Sequence, residues 1–401
     1  MLYCAIKDVA NLVRGVTYKK DQASKEPFKG SISILRANNI VEGRIDFSDL
    51  VFVPATLASD EQHLAAGDIV ITMSSGSKNH VGKVALYKAS MEMAFGAFCA
   101  KLSPIDVLPE YLLYILRSNS FRKHIEQLSK GTNINNIKAD HILDYMIPVP
   151  PLDEQERIVS RIEELFSQLD SGVETLRKTK QQLAVYRQAV ITEAFPLENN
   201  NPYVCLSDIA QIIGGITKGR DLSGKETIEL PYLRVANVQN GYLDLSEIKT
   251  IILRVDEKER YLLKPGDVLY TEGGDRDKLG RGTVWRGEIK DCVHQNHIFK
   301  ARIDQSKALP EYVAFWSMST PARNYFYQKG KQSVNLASIN KTVLSALSLP
   351  IPALEKQREI INHIESRLSV CNSIEQTVDT ALQQAEAMRQ SILKQAFENN
   401  I

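Results

Sequence analysis

Side chains suited to hydrogen bonding with base edges cluster in two loops of this 401-residue sequence. One is Ser74-Ser75-Gly76-Ser77-Lys78-Asn79-His80, followed by Lys83. The other is Glu272-Gly273-Gly274-Asp275-Arg276-Asp277-Lys278, followed by Arg281. On exposed loops, Lys, Arg, Asn and Gln side chains can read the donor and acceptor pattern of a DNA major groove, or bind its phosphates. An ordinary solvated turn has the same composition. Lys19 and Lys20, after one Gly-x-Thr turn, match Lys218 and Arg220 after a second. Arg36 and Arg234 suit a structural role and a DNA contact equally, and Gln295-Asn296-His297 suits a polar turn or a base reader.

Signals of covalent or metal chemistry are weak. Asn200-Asn201-Pro202-Tyr203 has the order of a loop that grips an exocyclic amine during methyl transfer. It lacks a second proline, lies in a polar linker, and has no glycine-rich cofactor loop upstream. His294 and His297 offer two metal ligands without a third at suitable spacing. Gly280-Arg281-Gly282 is neither a phosphate-binding loop nor a dinucleotide fingerprint. The 5 cysteines include no Cys-x-x-Cys pair, so neither a zinc ribbon nor a disulfide framework is expected. No catalytic residue, metal or cofactor is assigned.

An internal repeat positions these loops. Asp8-Val9-Ala10-Asn11-Leu12-Val13-Arg14-Gly15-Val16-Thr17 recurs as Asp208-Ile209-Ala210-Gln211-Ile212-Ile213-Gly214-Gly215-Ile216-Thr217, displaced by about 200 residues (208 minus 8). Leu35-Arg36-Ala37-Asn38-Asn39-Ile40 matches Leu233-Arg234-Val235-Ala236-Asn237-Val238, and Gly67-Asp68 matches Gly266-Asp267. Pro109-Glu110-Tyr111 matches Pro310-Glu311-Tyr312, and Ile147-Pro148-Val149-Pro150 matches Leu349-Pro350-Ile351-Pro352. Within each copy, short apolar runs between Gly, Asn and Ser clusters predict strands and turns. One helix is predicted from Pro109 to Ser129 and one from Pro310 to Tyr327.

After each Pro-rich hinge the pattern becomes that of a long helix. Ile162, Leu169, Leu176, Leu183 and Val190 fall seven residues apart, with a softer stripe at Leu165, Gly172, Thr179 and Tyr186. The second copy repeats the spacing at Ile364, Cys371, Val378, Ala385 and Ile392, with Ile374, Ala381 and Met388 between. Each helix covers about 40 residues, or roughly 60 Å at about 1.5 Å per residue. That length predicts an antiparallel coiled coil of the two copies, with pseudo-two-fold symmetry. As a spacer it corresponds to at most about 17–18 base pairs.

Composition sets the outer limits. With 43% hydrophobic and 24% charged residues, the chain is an ordinary globular one. Its 49 Lys+Arg against 48 Asp+Glu rule out a chain-wide basic excess, so any DNA-binding surface must be local. Neither a membrane span nor a secretory signal is expected, which places the chain in the cytoplasm.

A recognition domain, a hinge and a long helix, all repeated once, resemble the specificity subunit of type I restriction–modification systems. The likeness is carried by Ile147-Pro148-Val149-Pro150-Pro151-Leu152-Asp153-Glu154-Gln155 and Leu349-Pro350-Ile351-Pro352-Ala353-Leu354-Glu355-Lys356-Gln357, where Lys356 replaces Glu154. It extends to the helix ends at 187–195 and 389–397, and to framework at 232–238 and 273–282. The resemblance implies an α+β fold with two homologous mixed α/β target-recognition domains, 1–150 and 197–352, and spacer helices at 151–196 and 353–401. It further implies a non-catalytic subunit that reads a bipartite asymmetric site on double-stranded DNA. Two methyltransferase (M) subunits would dock on it and bring restriction (R) subunits; these partners supply S-adenosylmethionine and ATP chemistry. A stand-alone methyltransferase or nuclease, or a coiled-coil scaffold without DNA readout, are the alternatives.

Overall fold

The computed structural model describes residues 3–41, 43–75, 80–128, 136–195, 202–276, 279–332 and 337–398. The chain forms two compact units, Met1–Leu176 with Thr380–Ile401, and Arg177–Asp379.

In the first unit, a four-stranded antiparallel sheet runs in the order Ala10–Arg14, Cys99–Pro104, Ile69–Thr72, Val84–Leu86. A second sheet sets Ser31–Leu35 antiparallel to Val51–Pro54 and parallel to Met93–Phe95. The second unit repeats the plan, with Ala210–Gly214, Ile298–Ile303, Asp267–Thr271 and Gly282–Val284 in one sheet. Its other sheet joins Thr227–Leu233 to Lys249–Arg254 and Val293–His294.

Short motifs explain why the repeat keeps certain residues. Gly67 and Gly266 adopt φ of +99° and +93°, a region open to glycine, and turn the chain into the central strand. The following aspartate caps that turn: Asp68 and Asp267 carboxylates accept from the N–H of Ala65 and Lys264, each at 2.8 Å. Asn39 and Asn237 are buried, and each side-chain amide donates to two carbonyls of the loop that follows.

The helix predicted from Pro109 is two helices, Pro109–Arg117 and Asn119–Leu128. Ser118, at ψ 150°, breaks the path, and its hydroxyl donates to Ile115 O at 2.7 Å. Ser319 breaks the second copy alike, between Pro310–Met318 and Thr320–Lys329. Both first helices start on proline, whose missing N–H costs nothing at that position.

Two long helices, Leu152–Glu193 and Leu354–Phe397, each contribute to both units. In the first unit, Ile158, Ile162 and Phe166 share a core with Tyr111, Leu112, Ile115, Ile392 and Leu393. In the second, Ile191 and Phe195 share one with Tyr312, Trp316, Ile360 and Ile364. Burying each of these large apolar side chains stabilises the fold by about 1.5–3 kcal/mol. The hinge glutamines fasten helix to domain. Gln155 accepts from Leu108 N–H at 2.9 Å and donates to Pro150 O at 2.8 Å; Gln357 accepts from Leu309 N–H at 2.8 Å and donates to Pro352 O at 2.9 Å.

Within each unit the helix segments pair antiparallel. Asp170 meets Arg389 in the first, and Lys180 meets Asp379 in the second. Ile162, Val190, Ile364, Cys371, Val378, Ala385 and Ile392 are buried, and Leu169, Leu176 and Leu183 half-buried. The second stripe matches the expected one only in part. Leu165, Thr179 and Ala381 are half-buried as expected, but Gly172, Tyr186, Ile374 and Met388 face solvent, while Phe166, Val173, Lys180 and Arg187, and in the other helix Glu375, Leu382 and Arg389, are buried or half-buried. Ion pairs explain the shift: Arg187 pairs with Glu375 at 2.8 Å, and Lys180 with Asp379 at 2.6 Å. Long charged side chains cover the seam with their stems while satisfying one another.

Candidate nucleic-acid interface

In both units main-chain hydrogen bonds gather the same three loops. The first follows Gly15 or Gly215 and carries Lys19 and Lys20, or Lys218 and Arg220. The second is the turn that ends in Phe98 or His297. The third is the loop of the hairpin between the last two strands of the four-stranded sheet. In the first unit, Ala97 N–H donates to Val16 O at 2.9 Å, and Met73 and Ser74 N–H donate to Phe98 O at 2.8 and 3.2 Å. In the second, Asn296 N–H donates to Ile216 O and Glu272 N–H to His297 O, each at 2.9 Å. A Cβ on Gly15 would lie 2.3 Å from Gly96 O, and one on Gly215 2.2 Å from His294 O, so the approach requires glycine.

The far side of the hairpin is matched too. Thr72 N–H donates to Lys83 O at 2.8 Å, and Thr271 N–H to Arg281 O at 3.0 Å. Lys83 and Arg281 therefore occupy one rung of the fold. Each follows a glycine of positive φ, Gly82 at +76° and Gly280 at +65°.

The sequence candidates separate by what holds them. Lys19, Lys20 and Lys218 are exposed, and Lys83 is half-buried. Arg220 gives both terminal nitrogens to Glu257 at 2.9 Å, and that guanidinium holds the Glu257 carboxyl below the usual range. Arg36 bonds Asp49 Oδ2 at 2.9 Å, and Arg234 bonds Glu247 Oε2 at 3.0 Å. Both also donate to the main chain of those residues, so they clasp equivalent loops. Arg276 lies over the Tyr327 ring, 4.3 Å from its centroid, and donates to Tyr327 O. Arg281 donates to Gln239 Oε1 at 3.1 Å. Gln295 and Asn296 are half-buried in the turn. Ser77, Lys78, Asn79 and Lys278 lie outside the described residues.

Sequence reasoning missed three groups: the hinge glutamines, the Asn39/Asn237 clasps, and the hairpin turn containing Gln239 and Tyr242. The glutamines and asparagines recur in register between the copies, which was a usable signal. Gln239 and Tyr242 align with Val41 and Arg44 of the other copy, so the repeat gave no hint of them. Among the described residues, no group of three or more His, Cys, Asp or Glu could hold a metal ion, and no helix is long and apolar enough to cross a membrane.

The model of the type I restriction modification DNA specificity domain matches this chain twice, over residues 3–183 and 198–384. The chain belongs to that family. It is 33% identical over 412 residues to the StySPI specificity subunit of Salmonella potsdam, and 32% identical over 415 residues to the EcoKI specificity subunit of Escherichia coli K12. Each alignment covers 99% of this chain and 88% of the relative. A solved structure described as the basis of complex assembly and conformational transition of the type I R-M system has the same fold. It shows a TM-score of 0.72 at 17% identity, covering 100% of this chain and 98% of that one. As a type I specificity subunit, the chain is a non-catalytic component of its system.

Proposed function

We propose that this specificity subunit reads a bipartite, asymmetric target on double-stranded DNA, one half-site through each recognition domain (1–150 and 197–352). Segments 151–196 and 353–401 would set the spacing and dock two methyltransferase subunits, through which restriction subunits join. One observation carries the reading: equivalent loops are held by equivalent main-chain bonds, yet differ at their tips. DNA presents the same groove shape to both domains, so a shared frame with different side chains suits one docking mode and two base sequences.

Lys19, Lys20, Lys83 and Lys218 supply cations for phosphates, and the near-neutral chain shares its grip on DNA with its partners. Tyr186, Val370 and Ile374, exposed at 45%, 59% and 40% on the long helices of the second unit, suit a protein partner. The chain needs no cofactor of its own, and the assembly works in the cytoplasm.

Mapping methylated sites in cells that express the complete system tests this reading. The expected result is one motif of two unlike halves at fixed spacing, with a single half changed when residues 1–150 are exchanged for those of a relative. An undivided motif, or both halves changing together, would refute it.

A further inference from the structure

Arg281 is mounted more rigidly than any feature of its sequence suggests. It stands between Gly280, where a Cβ would lie 2.3 Å from the Phe326 ring, and Gly282, where one would lie 2.9 Å from Leu269 O. Its own carbonyl accepts from Thr271 N–H at 3.0 Å, and Gly241 N–H donates to Gly282 O at 3.0 Å. The Gly-Arg-Gly triplet that fits no phosphate or dinucleotide motif is thus a fixed pedestal for one arginine.

The side chain is aimed as well. Arg281 Nη1 donates to Gln239 Oε1 at 3.1 Å, and Gln239 Nε2 donates to Ala236 O at 2.8 Å, which fixes the amide with its oxygen toward the guanidinium. In the same unit Arg220, Arg234 and Arg302 are paired with Glu257, Glu247 and Asp267. A carboxylate cancels the charge it holds. A neutral amide orients the group and leaves its charge for another partner. Among the described residues no carboxylate pairs with Arg281. The turn that supplies Gln239 also presents Tyr242, 61% exposed.

We propose that Arg281 reads a guanine in the half-site of the second recognition domain, with Gln239 as its positioning residue. The proposal rests on the DNA-reading function above. The planar guanidinium offers parallel N–H donors in a fixed fork that fits guanine O6 and N7 together, whereas a lysine ammonium reaches them only as a point charge on a flexible stem. In the first domain Lys83 takes the same rung, and Val41 stands where Gln239 would hold it. A flexible point charge there suits a phosphate.

The test uses the subunit assembled with its methyltransferase partner and a library of duplexes randomised across the target. Arg281→Ala should relax preference at a single guanine by about tenfold or more, the discrimination typical of one bidentate contact, with the other half-site unchanged. Gln239→Ala should weaken preference at that same guanine. Gln239→Glu, nearly isosteric, should also do so by neutralising the guanidinium, and keeps the test alive if Arg281→Ala fails to assemble. An unaltered target in these variants, or equal loss at all positions, overturns the proposal. If the wild-type complex itself selects no bipartite sequence, the DNA-reading function fails instead.

Discussion

Arg302 grips the Asp267 carboxylate through Nε at 2.8 Å and Nη2 at 2.7 Å, and so replaces a lysine that holds the equivalent aspartate in the other domain. There, Lys101 bonds Asp68 at 3.1 Å, and Ser103 stands at the place of Arg302. Lys300, the counterpart of Lys101, is left to donate to Leu262 O at 2.7 Å. Divergence between the copies thus stranded a buried ammonium beside a guanidinium.

Burial, followed by the nearby Arg302 charge, pulls Lys300 down to about 8 from 10.5. Between these values the unfolded chain binds a proton that the folded chain does not, so stability rises with pH across that window. Lys300→Met should abolish this rise and raise the melting temperature of the second unit at pH 7 by about 2–4 °C, as expected for about 1 kcal/mol. Arg302 Nη2 still covers Leu262 O, at 3.2 Å. Calorimetry of variant and parent from pH 7 to 11 reads both effects; a lower melting temperature at pH 7 refutes the assignment.

His294 gives an acid-side counterpart. Its ring is fully buried, and desolvation first, then Lys300, lower it to about 4 from 6.5. The folded state keeps it neutral while the unfolded state protonates, so its contribution to stability is lost as pH falls from about 6.5 to about 4. Phe95 occupies the equivalent place in the first domain. His294→Phe should flatten the acid limb for the second unit alone, read by hydrogen exchange at its core amides. An unchanged limb would assign the acid sensitivity elsewhere.

Legibility in the sequence followed the range of the interaction. Gly67-Asp68, Pro109 and the heptad leucines act within a turn or a helix, so their spacing showed their task. The break at Ser118 was hidden because both flanking segments keep helical periodicity. Arg36 and Asp49 lie 13 residues apart across a loop, which no local pattern announces. The second helix stripe was misplaced at Gly172, Tyr186, Ile374 and Met388 because Lys180, Arg187 and Glu375 read as surface charges until their partners are seen.

The hinge glutamines make a stability prediction. Gln155 and Gln357 are 1% and 0% exposed, and each satisfies a half-buried amide and a buried carbonyl. Leucine at either position keeps the volume and orphans both groups, at about 1–3 kcal/mol each. Gln155→Leu should therefore destabilise the first unit by roughly 2–6 kcal/mol. Gln357→Leu should do the same to the second. Denaturant titration followed by hydrogen exchange resolves the units, and a loss below about 1 kcal/mol would deny the clasp its role.

Polar residues in the helix seam predict that pairing depends on matched charge. Lys180 Nζ lies 2.6 Å from Asp379 and 3.8 Å from Glu375, and the acidic neighbours raise its pKa, the Asp379 hydrogen bond most of all. Lys180→Asp alone would set three carboxylates together, and Asp379→Lys alone would crowd Lys180 with a like charge. The exchange Lys180→Asp with Asp379→Lys restores one opposite pair at the same rung. A double-mutant cycle should then show favourable coupling, and the coupling should shrink at high salt. Additive effects would mean that the apolar heptad positions alone set the antiparallel register, with Lys180 and Asp379 merely tolerated beside them.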